Sequence, residues 1–217
     1  MPLKHVVMLL AVLGILLLYF LSSFSQPCVI RIQELPAYEG KHVIVEGIVI
    51  DHHTTAYGSQ IIEIQDRDPT ESNTKATIFA EKATPVEYGD TIQVTGKVQK
   101  YKDDWEVVVN EERLVRIIQK WQNRTTPLWQ LAQNPERYAG INVNVTGLID
   151  RVYDHYFYLV DTEEDYSIVV FCDPSTLRNV SQGDTVSVAA TFAYTAADMR
   201  YVLNVDEENH HIWLMDQ

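Results

Sequence analysis

The sequence predicts an all-β protein in which two tandem five-stranded barrels follow one N-terminal transmembrane helix. The first observation is an internal repeat, because Gly40 and Gly47 recur 100 positions later as Gly140 and Gly147 in a similar apolar pattern. The second is a period-two alternation of apolar and polar residues, which indicates half-buried strands. The third is an uncharged run at residues 6–25. Solenoid units are only about 20 to 50 residues long, so a repeat of this length indicates a duplicated small domain.

The uncharged run predicts a membrane anchor. About 20 apolar residues, each rising 1.5 Å in a helix, cross a hydrocarbon core of about 30 Å. Lys4 lies on the short N-terminal side, which favours a cytoplasmic N terminus and domains outside the cytoplasm. The alternative is a cleaved signal peptide: Ser23 and Ser25 have the spacing of a cleavage site, although the run exceeds the usual apolar region of about 7–15 residues. We predict a single-pass protein that contacts the membrane through residues 4–25.

Each copy of the repeat contains five predicted strands in the same order. In the first strand Val43, Val45 and Gly47 share one face, and the second copy repeats this face 100 positions later. A glycine in mid-strand weakens the strand, so its repetition predicts a bend or a close backbone approach. The fourth strand of each copy follows the tripeptide Gly-Asp-Thr, which is a turn signal. The other predicted strands lie at 60–65, 75–79 and 105–109 in the first copy and at 156–160, 167–172 and 200–205 in the second.

Two helices are predicted between the barrels. Residues 111–122 place apolar side chains at helical spacing and predict a helix that ends the first barrel. A second, short helix is predicted to begin with Thr126 as its cap and Pro127 in its first turn, and to end before Asn134. The apolar residues of the first of these helices are Leu114, Ile117, Ile118 and Trp121.

The strand order predicts the fold of each copy. Five strands with a longer connection between the third and the fourth are the order of the OB-fold, a partly open Greek-key barrel. In the first copy this connection, residues 81–88, has room for at most two helical turns. The predicted domains are an anchor or signal segment at 1–26, a first OB-like barrel with its C-terminal helix at 27–118, a linker at 119–127 and a second OB-like barrel at 128–217.

The opening of each copy carries a family resemblance. Residues 131–140 read Leu-Ala-Gln-Asn-Pro-Glu-Arg-Tyr-Ala-Gly and lead into Val-x-Val-x-Gly. This segment resembles the start of the tRNA-anticodon-binding-like OB modules of exported or membrane-anchored prokaryotic proteins, and residues 35–47 are similar without the Asn-Pro. The resemblance covers about residues 35–110 and 128–206. It implies an OB-fold of the nucleic-acid-binding type.

The net charge of −13 is distributed unevenly between the copies. Residues 35–118 hold nine Lys and Arg against fifteen Asp and Glu. Residues 127–217 hold four Arg, no Lys and fourteen Asp and Glu. Because Lys and Arg that neutralise phosphates supply most of the non-specific affinity for nucleic acid, the second barrel is the less suitable partner for a polyanion.

The candidate nucleic-acid site therefore lies in the first barrel. An OB-fold binds its ligand across strands two and three, between the loops that follow strands one and four. Ammonium groups there would follow the phosphates, and aromatic rings would stack bases at about 1–3 kcal/mol each. The alternative is that the Trp fills the barrel and the lysines form a solvated hairpin tip that protects an edge. The candidate residues are Tyr57, Phe79, Lys97, Lys100, Tyr101, Lys102 and Trp105.

The second copy is rich in tyrosine and in carboxylates. This combination suits a cationic or sugar-like ligand or another protein, but ordinary strand propensity explains the tyrosines equally well. The tyrosines are Tyr153, Tyr156, Tyr158, Tyr166, Tyr194 and Tyr201, and the carboxylates are Asp154, Asp161, Glu163, Glu164 and Asp165.

No motif in the sequence indicates catalysis, a cofactor or a metal. There is no recognisable Ser/His/Asp or Cys/His arrangement and no Gly-rich phosphate loop. Two pairs of adjacent histidines occur, at 52–53 and 210–211. Adjacent residues of a strand point to opposite faces, so a zinc site would need both pairs and a C-terminal tail that folds back. We predict neither an enzyme nor a metal site.

Two cysteines and three sequons complete the candidates. Cys28 and Cys172 match no disulfide spacing rule, and we predict unpaired thiols. The candidate glycosylation sites are Asn123, Asn144 and Asn179, each in an Asn-x-Ser/Thr sequon.

Together these observations predict a membrane-anchored, extracytoplasmic OB-fold binding protein that needs no cofactor. The predicted ligand is single-stranded nucleic acid, bound through the first barrel. The alternative is a protein-interaction or structural module of the cell envelope, in which the acidic second barrel faces its partner and nucleic acid has no role.

Overall fold

The computed structural model describes residues 3–24, 26–67, 74–162, 165–178 and 180–215. It confirms an all-β architecture of two closed five-stranded barrels. The first half of the chain contains β1 (Cys28–Val29), β2 (His42–Thr54), β3 (Gln60–Gln65), β4 (Lys75–Ala80), β5 (Thr91–Tyr101), β6 (Asp104–Val109) and β7 (Val115–Gln119). The second half contains β8 (Ile141–Val152), β9 (Tyr156–Val160), β10 (Ser167–Cys172), β11 (Thr185–Thr195), β12 (Arg200–Val205) and β13 (His211–Leu214). The α-helices are α1 (Leu3–Phe24), α2 (Leu128–Gln133), α3 (Pro135–Tyr138) and α4 (Pro174–Leu177).

Both barrels have the OB-fold strand order. In the first, β2, β3, β4, β6 and β5 are neighbours in that sequence, and β5 returns to pair with β2. The second repeats the order with β8, β9, β10, β12 and β11, and β11 returns to β8. The third and fifth strands of each barrel form a parallel pair, β4 with β6 and β10 with β12. Two short strands extend the first barrel at its edges, β1 beside β2 and β7 beside β5, and β13 extends the second beside β11.

A bulge in the first strand of each barrel allows the sheet to close. The pairing of β2 with β3 shifts register between Val49 and Asp51, and that of β8 with β9 shifts between Ile149 and Arg151, 100 positions later. A bulge bends a strand and increases its twist. The long first strand can therefore pair with the fourth strand before the bend and with the second strand beyond it, which barrel closure requires.

The repeated mid-strand glycines lie where two backbones approach closely, as the sequence predicts. A Cβ atom at Gly47 would lie 2.8 Å from the carbonyl oxygen of Gln65. A Cβ atom at Gly147 would lie 2.4 Å from that of Val160, at the end of the corresponding neighbour strand. Only a residue without a side chain fits at these two positions.

Each barrel has its own apolar core, built from the inward-facing alternate residues of its strands. Fully burying one large aliphatic side chain stabilises a fold by about 1.5–3 kcal/mol. The first core includes Val43, Val45, Val49, Ile62, Ile64, Ile78, Ile92, Val94, Val98 and Val107. The second includes Val143, Val145, Ile149, Phe157, Leu159, Val170, Val186, Val188, Phe192 and Leu203.

The predicted helix at 111–122 is wrong. The structure has a 3₁₀ turn at Glu112–Leu114, the strand β7 and a second 3₁₀ turn at Trp121–Asn123. Ile117 packs against the first core, whereas the adjacent Ile118 is 42% exposed, so the apolar residues follow the strand period. β5 otherwise presents unpaired N–H and C=O groups along this stretch, and β-branched residues suit a strand that pairs with them.

The predicted short helix before the second barrel is present. This helix, α2, ends at Gln133, just before Asn134, as predicted, but its N-cap is Pro127 and not Thr126. The connection at 81–88 contains no helix, and the corresponding connection of the second barrel contains the single turn α4.

The N-terminal helix α1 extends over 22 residues. In the part of the chain that the structure describes, no helix meets the length and apolarity required to cross a membrane. The transmembrane helix therefore stays a prediction from the sequence.

A junction of polar and aromatic contacts joins the two barrels. Trp121, in the predicted linker, is 1% exposed, and its Nε1 donates to Glu87 Oε2 at 2.7 Å. From the second barrel, Asn209 Nδ2 donates to the same oxygen at 3.0 Å. Lys120 Nζ lies 3.2 Å from Glu87 Oε1 and 3.0 Å from Asp90 Oδ2. The predicted linker is thus a packed part of the interface.

A second contact between the barrels joins the end of β3 and the loop after it to helix α3. Gln65 Nε2 donates to the Arg137 carbonyl oxygen at 2.9 Å, and Arg137 Nη2 donates to the carbonyl oxygen of Asp66. Ile48 of β2 belongs to the core of the second barrel, which makes the packing between the barrels partly apolar.

Candidate functional site

The structure divides the predicted nucleic-acid residues of the first barrel into groups. Phe79 on β4 and Lys97 on β5 both pair with Val108 of β6, so they flank it on neighbouring strands. Both side chains belong to the outward-facing set of their strands, with Phe79 half-buried and Lys97 exposed. Tyr57 lies at the tip of the β2–β3 loop and is 97% exposed.

The second group is the turn between β5 and β6. Lys100 pairs with Trp105 across the turn, and its Nζ lies 5.9 Å from the centroid of the Trp105 ring. Lys102 Nζ lies 5.4 Å from the centroid of the Tyr101 ring, which is 57% exposed. These distances are within the range of cation–π attraction. We call the four residues Lys100, Tyr101, Lys102 and Trp105 the basic turn.

The geometry of this turn is compatible with both interpretations, and the nucleic-acid site stays a prediction. Trp105 is partly buried and packs against the first core, as expected for a residue that closes the barrel end. The lysines are exposed at the tip, where they can reach a ligand. The groove beside Trp105, with a volume of about 390 Å³, is also lined by Glu63, Asp103 and Asp104. The charge near the basic turn is therefore mixed.

The loop that holds Tyr57 lies at the opposite end of the same face. Gln60, which begins β3, pairs with Ala80, which ends β4. β6 runs parallel to β4, so the turn that precedes β6 lies beside the start of β4. Tyr57 and the basic turn therefore flank the face of β3, β4 and β6 from its two ends. A chain-like ligand that crosses this face could contact both.

A contiguous aromatic surface occupies the corresponding face of the second barrel. The Tyr153 and Tyr156 rings stack at 4.7 Å with an interplanar angle of 18°. The Tyr158 ring is 6.0 Å from each of them, edge-on, and the Phe171 ring is 5.7 Å from Tyr156. We call these four residues the tyrosine surface. Strand propensity alone does not account for it, because the strands place these rings in mutual contact on the outer side.

One sequence feature, the alternation within β9, indicated part of this surface but was not sufficient to predict it. Tyr156 and Tyr158 have the same parity in β9, and the intervening Phe157 is fully buried. Two tyrosines on the outward face of the second strand of an OB-fold lie where such folds bind ligands. The contribution of Phe171 follows only from its pairing with Tyr156 across β10 and β9.

The remaining tyrosines of the second barrel lie elsewhere. Tyr166 packs against the second core, and Tyr201 stacks on Phe192 at 5.0 Å with an interplanar angle of 3°. Tyr194 is 52% exposed and contacts Tyr201 at 5.1 Å. Among the predicted carboxylates of this copy, Glu163 and Glu164 lie outside the described residues.

Acidic groups lie at two places beside the tyrosine surface, next to Arg151 and in a groove at Phe171. Arg151 lies over the Tyr158 ring at 5.8 Å and also pairs with Asp150 at 3.0 Å. A groove of about 710 Å³ continues from Phe171. Its acidic lining consists of Asp173, Asp206 and Glu207.

Neither cysteine forms a disulfide. Cys28 and Cys172 are both free, and Cys28 is exposed. Burial raises the pKa of the Cys172 thiol to about 11, with the charge of Asp173 adding to the effect. Cys172 is therefore a protonated, unreactive thiol at neutral pH.

The histidine pairs have different environments. His52 contacts the Tyr88 ring at 4.7 Å, and His210 is buried at the barrel junction, 5.8 Å from the Trp121 ring. Within the described ranges, no group of three or more His, Cys, Asp or Glu residues is arranged to hold a metal ion.

His210 is a buried neutral base whose two ring nitrogens both have partners. Nδ1 accepts from the backbone N–H groups of Asp206 at 3.3 Å and Glu207 at 3.1 Å. Nε2, 3.3 Å from Asn142 Oδ1, is then the nitrogen that carries the proton. Burial lowers the pKa of His210, and the carboxylates of Glu207 and Asp206 offset this only in part.

This environment predicts a loss of stability in mild acid. The unfolded chain binds the proton more readily than the folded chain, so the free energy of unfolding falls as the pH drops below about 6.5, and the loss stops growing below the folded-state pKa. Chemical denaturation between pH 7.5 and 5 measures this. The stability of His210→Asn relative to the unmodified protein should improve as the pH falls; a difference independent of pH would contradict the prediction.

The three sequons differ in accessibility. Asn123 is exposed in a 3₁₀ turn. Asn144 is buried, its Nδ2 donates to the Gln122 carbonyl at 2.7 Å, and its Oδ1 accepts from Ser187 Oγ at 2.6 Å. In the folded protein the Asn144 amide is therefore held between β8, β11 and the linker, and its glycosylation stays a prediction. Asn179 lies outside the described residues.

Comparison with known proteins agrees with this fold. The tRNA_anti-like family model matches residues 32–113, which contain the five strands of the first barrel. No curated protein sequence matches the chain. Among solved structures, a putative aspartyl-tRNA synthetase from Leishmania major Friedlin is 14% identical with a TM-score of 0.35, over 44% of this chain and 21% of the synthetase. This chain thus matches about a fifth of the synthetase.

Two DNA-bound structures match most of this chain at similarly low scores. Fission yeast Pot1 with ssDNA is 13% identical over 86% of this chain and 88% of Pot1, with a TM-score of 0.30. A murine DNA binding protein bound with dsDNA is 12% identical over 81% of this chain and 96% of that protein, with a TM-score of 0.36. TM-scores this low establish no shared ligand. From its strand order the chain is a tandem OB-fold protein, and its first barrel is similar to the tRNA_anti-like family.

Proposed function

We propose that the protein binds single-stranded nucleic acid through its first barrel. The observation that carries the proposal is the basic turn, in which Lys100 and Lys102 each lie over an aromatic ring at one end of the β3–β4–β6 face. Ammonium groups beside the exposed Tyr101 ring and the partly buried Trp105 ring can contact phosphates while the rings stack bases. Tyr57 at the other end of this face offers a further ring for stacking.

The charge distribution supports the choice of barrel. The first copy contains all the lysines of the two repeats, and the second contains none. Because phosphate neutralisation supplies much of the affinity for nucleic acid, a strand should bind where the lysines are. The carboxylates near Trp105 limit the affinity, whereas the contacts of the lysines with phosphates make it dependent on salt.

We further propose that the protein is anchored in a membrane with both barrels outside the cytoplasm. The uncharged run at 6–25 and the preceding Lys4 support this proposal. Fractionation of cells that produce the chain, followed by protease treatment of intact cells or spheroplasts, tests it. Recovery of the barrels in a protease-protected cytosolic fraction would contradict it.

The nucleic-acid proposal predicts a specific effect of removing the two lysines. In a fluorescence titration of the detergent-solubilised chain with short single-stranded DNA and RNA at low salt, we expect binding that weakens as salt is added. The double substitution Lys100→Ala and Lys102→Ala should reduce the magnitude of the salt slope by about 1.4, since each phosphate contact to a single strand contributes about 0.7.

Matched substitutions make this test specific. Lys82→Ala removes an exposed lysine from the connection after β4, outside the basic turn, and should leave the slope unchanged. Trp105→Ala should weaken binding by about 1–3 kcal/mol if the ring stacks on a base. No binding at low salt, or binding indifferent to the double substitution, would rule the proposal out.

A second candidate function is a protein-interaction module of the cell envelope. The tyrosine surface of the second barrel favours it, because contiguous, partly exposed aromatic rings are typical of protein interfaces. Cross-linking in membranes distinguishes the two functions. A defined protein partner that is lost on changing Tyr156 and Tyr158 favours the second.

A further inference from the structure

The tyrosine surface is partly exposed, with Tyr156, Tyr158 and Phe171 half-buried, and it already accepts a cation. Tyr153 is 41% exposed, and the adjacent Val152 is 36% exposed. The guanidinium of Arg151 lies 5.8 Å from the Tyr158 ring centroid, so this face of the sheet holds a positively charged group against an aromatic ring. The stacked pair of Tyr153 and Tyr156 extends the same surface towards Phe171.

The negative charge around this surface favours a positively charged partner. Arg151 is paired with Asp150, so it provides no free positive charge. The groove that continues from Phe171 is lined by Asp173, Asp206 and Glu207, and the second barrel as a whole has fourteen acidic residues against four arginines. An anionic strand would be repelled, whereas a basic segment would be attracted and steered towards the rings.

We propose that the second barrel binds an extended, basic segment of a partner protein on the tyrosine surface. Side chains on one face of an extended segment are about 7 Å apart, which is close to the spacing of neighbouring rings on this surface. Lys or Arg side chains at alternate positions stack on Tyr156 and Phe171, beside the Tyr158 ring that Arg151 already covers, and one of them enters the acidic groove beside Phe171. This function is independent of the nucleic-acid site in the first barrel. For the second candidate function, it specifies that the partner is a basic, extended protein segment.

The test uses a synthetic peptide of alternating Arg and Gly and a counterpart of alternating Glu and Gly. Isothermal titration calorimetry of the detergent-solubilised chain should detect binding of the Arg peptide, weakened by salt, and none of the Glu peptide. Tyr156→Ala, which removes the ring that contacts the other three, should reduce the affinity at least about fivefold. Tyr153→Ala, in the turn after β8, tests the same surface without altering a strand.

Two controls separate this proposal from general attraction to an acidic protein. Tyr194→Ala removes another exposed tyrosine of the second barrel, outside the tyrosine surface, and should leave the affinity unchanged. The double substitution Lys100→Ala and Lys102→Ala should also leave it unchanged, even if it abolishes DNA binding. The proposal fails if the Arg peptide does not bind, if Tyr194→Ala weakens binding as much as Tyr153→Ala, or if single-stranded DNA or a neutral oligosaccharide binds at the tyrosine surface and the peptide does not.

Discussion

Replacing Trp121 with Ala is expected to lower the free energy of unfolding by about 3–5 kcal/mol, the cost typical of truncating a buried aromatic residue to Ala. Trp121 is 1% exposed at the barrel junction, where its Nε1 donates to Glu87 and its backbone N–H donates to Asp90 Oδ1 at 3.2 Å. The ring also meets His210 edge-on at 5.8 Å. The substitution thus leaves a cavity at the junction.

The same substitution should weaken the coupling between the barrels. Burial by itself raises the pKa of Glu87, but hydrogen bonds from Trp121 and Lys120 outweigh it and hold the pKa below its usual value. Without the indole, this carboxylate loses one donor and the junction loses its central side chain. Chemical denaturation should then show a lower midpoint and two separable transitions in place of one.

Trp129→Ala is the matched control for this prediction. Trp129 lies in α2 and is 46% exposed, so its removal should change the stability by no more than about 0.5 kcal/mol. A Trp121→Ala protein as stable as Trp129→Ala would show that the junction contributes little to folding.

Gly89→Ala is expected to destabilise the protein by about 2–5 kcal/mol, from backbone strain and a steric clash together. Gly89 has φ +90°, a conformation that costs an L-residue about 1–2 kcal/mol. A Cβ atom there would lie 2.3 Å from the carbonyl oxygen of Asn142 in the second barrel and 3.1 Å from the Trp121 Cβ. Part of the junction must move to admit it, at a further cost of about 1–3 kcal/mol.

The repeat provides an internal control for the steric part. Gly183 is the counterpart of Gly89 in the second barrel, with φ +92°, and a Cβ atom added there would meet no other atom within 4 Å. Gly183→Ala should therefore cost only the backbone strain. Urea denaturation of the two variants measures the difference, and equal losses would mean that the barrels do not press together at Gly89.

Period-two patterning predicted most of the strands, because it arises from local geometry. The alternation that gives β3 and β9 their limits reflects a strand with one buried face, and that condition is visible in a single sequence. The same reasoning failed at 111–122, where apolar residues fit both a helix and a strand. The free edge of β5 decided between them, and no local pattern reveals an unpaired edge elsewhere in the chain.

The candidate sites also differ in whether local sequence or distant strand pairing brings their residues together. The basic turn could be predicted because its four residues lie within six positions of the sequence and a hairpin holds them together. The tyrosine surface could not, because Phe171 and Tyr156 meet only through the pairing of β10 with β9. The sequence places His210 in a C-terminal tail, yet its contacts with Asn142 and Trp121 span much of the second barrel and the linker.

The amino-acid sequence by itself determined the duplication, the strands of each barrel and the stronger acidity of the second copy. These follow from residue periodicity and composition, which are local properties. Only the tertiary structure decided that the linker is a buried junction, that Gly89 faces Asn142, and that scattered aromatic residues form one surface. Those features depend on contacts between residues far apart in the chain, and their geometry is set when the two barrels close and pack against each other.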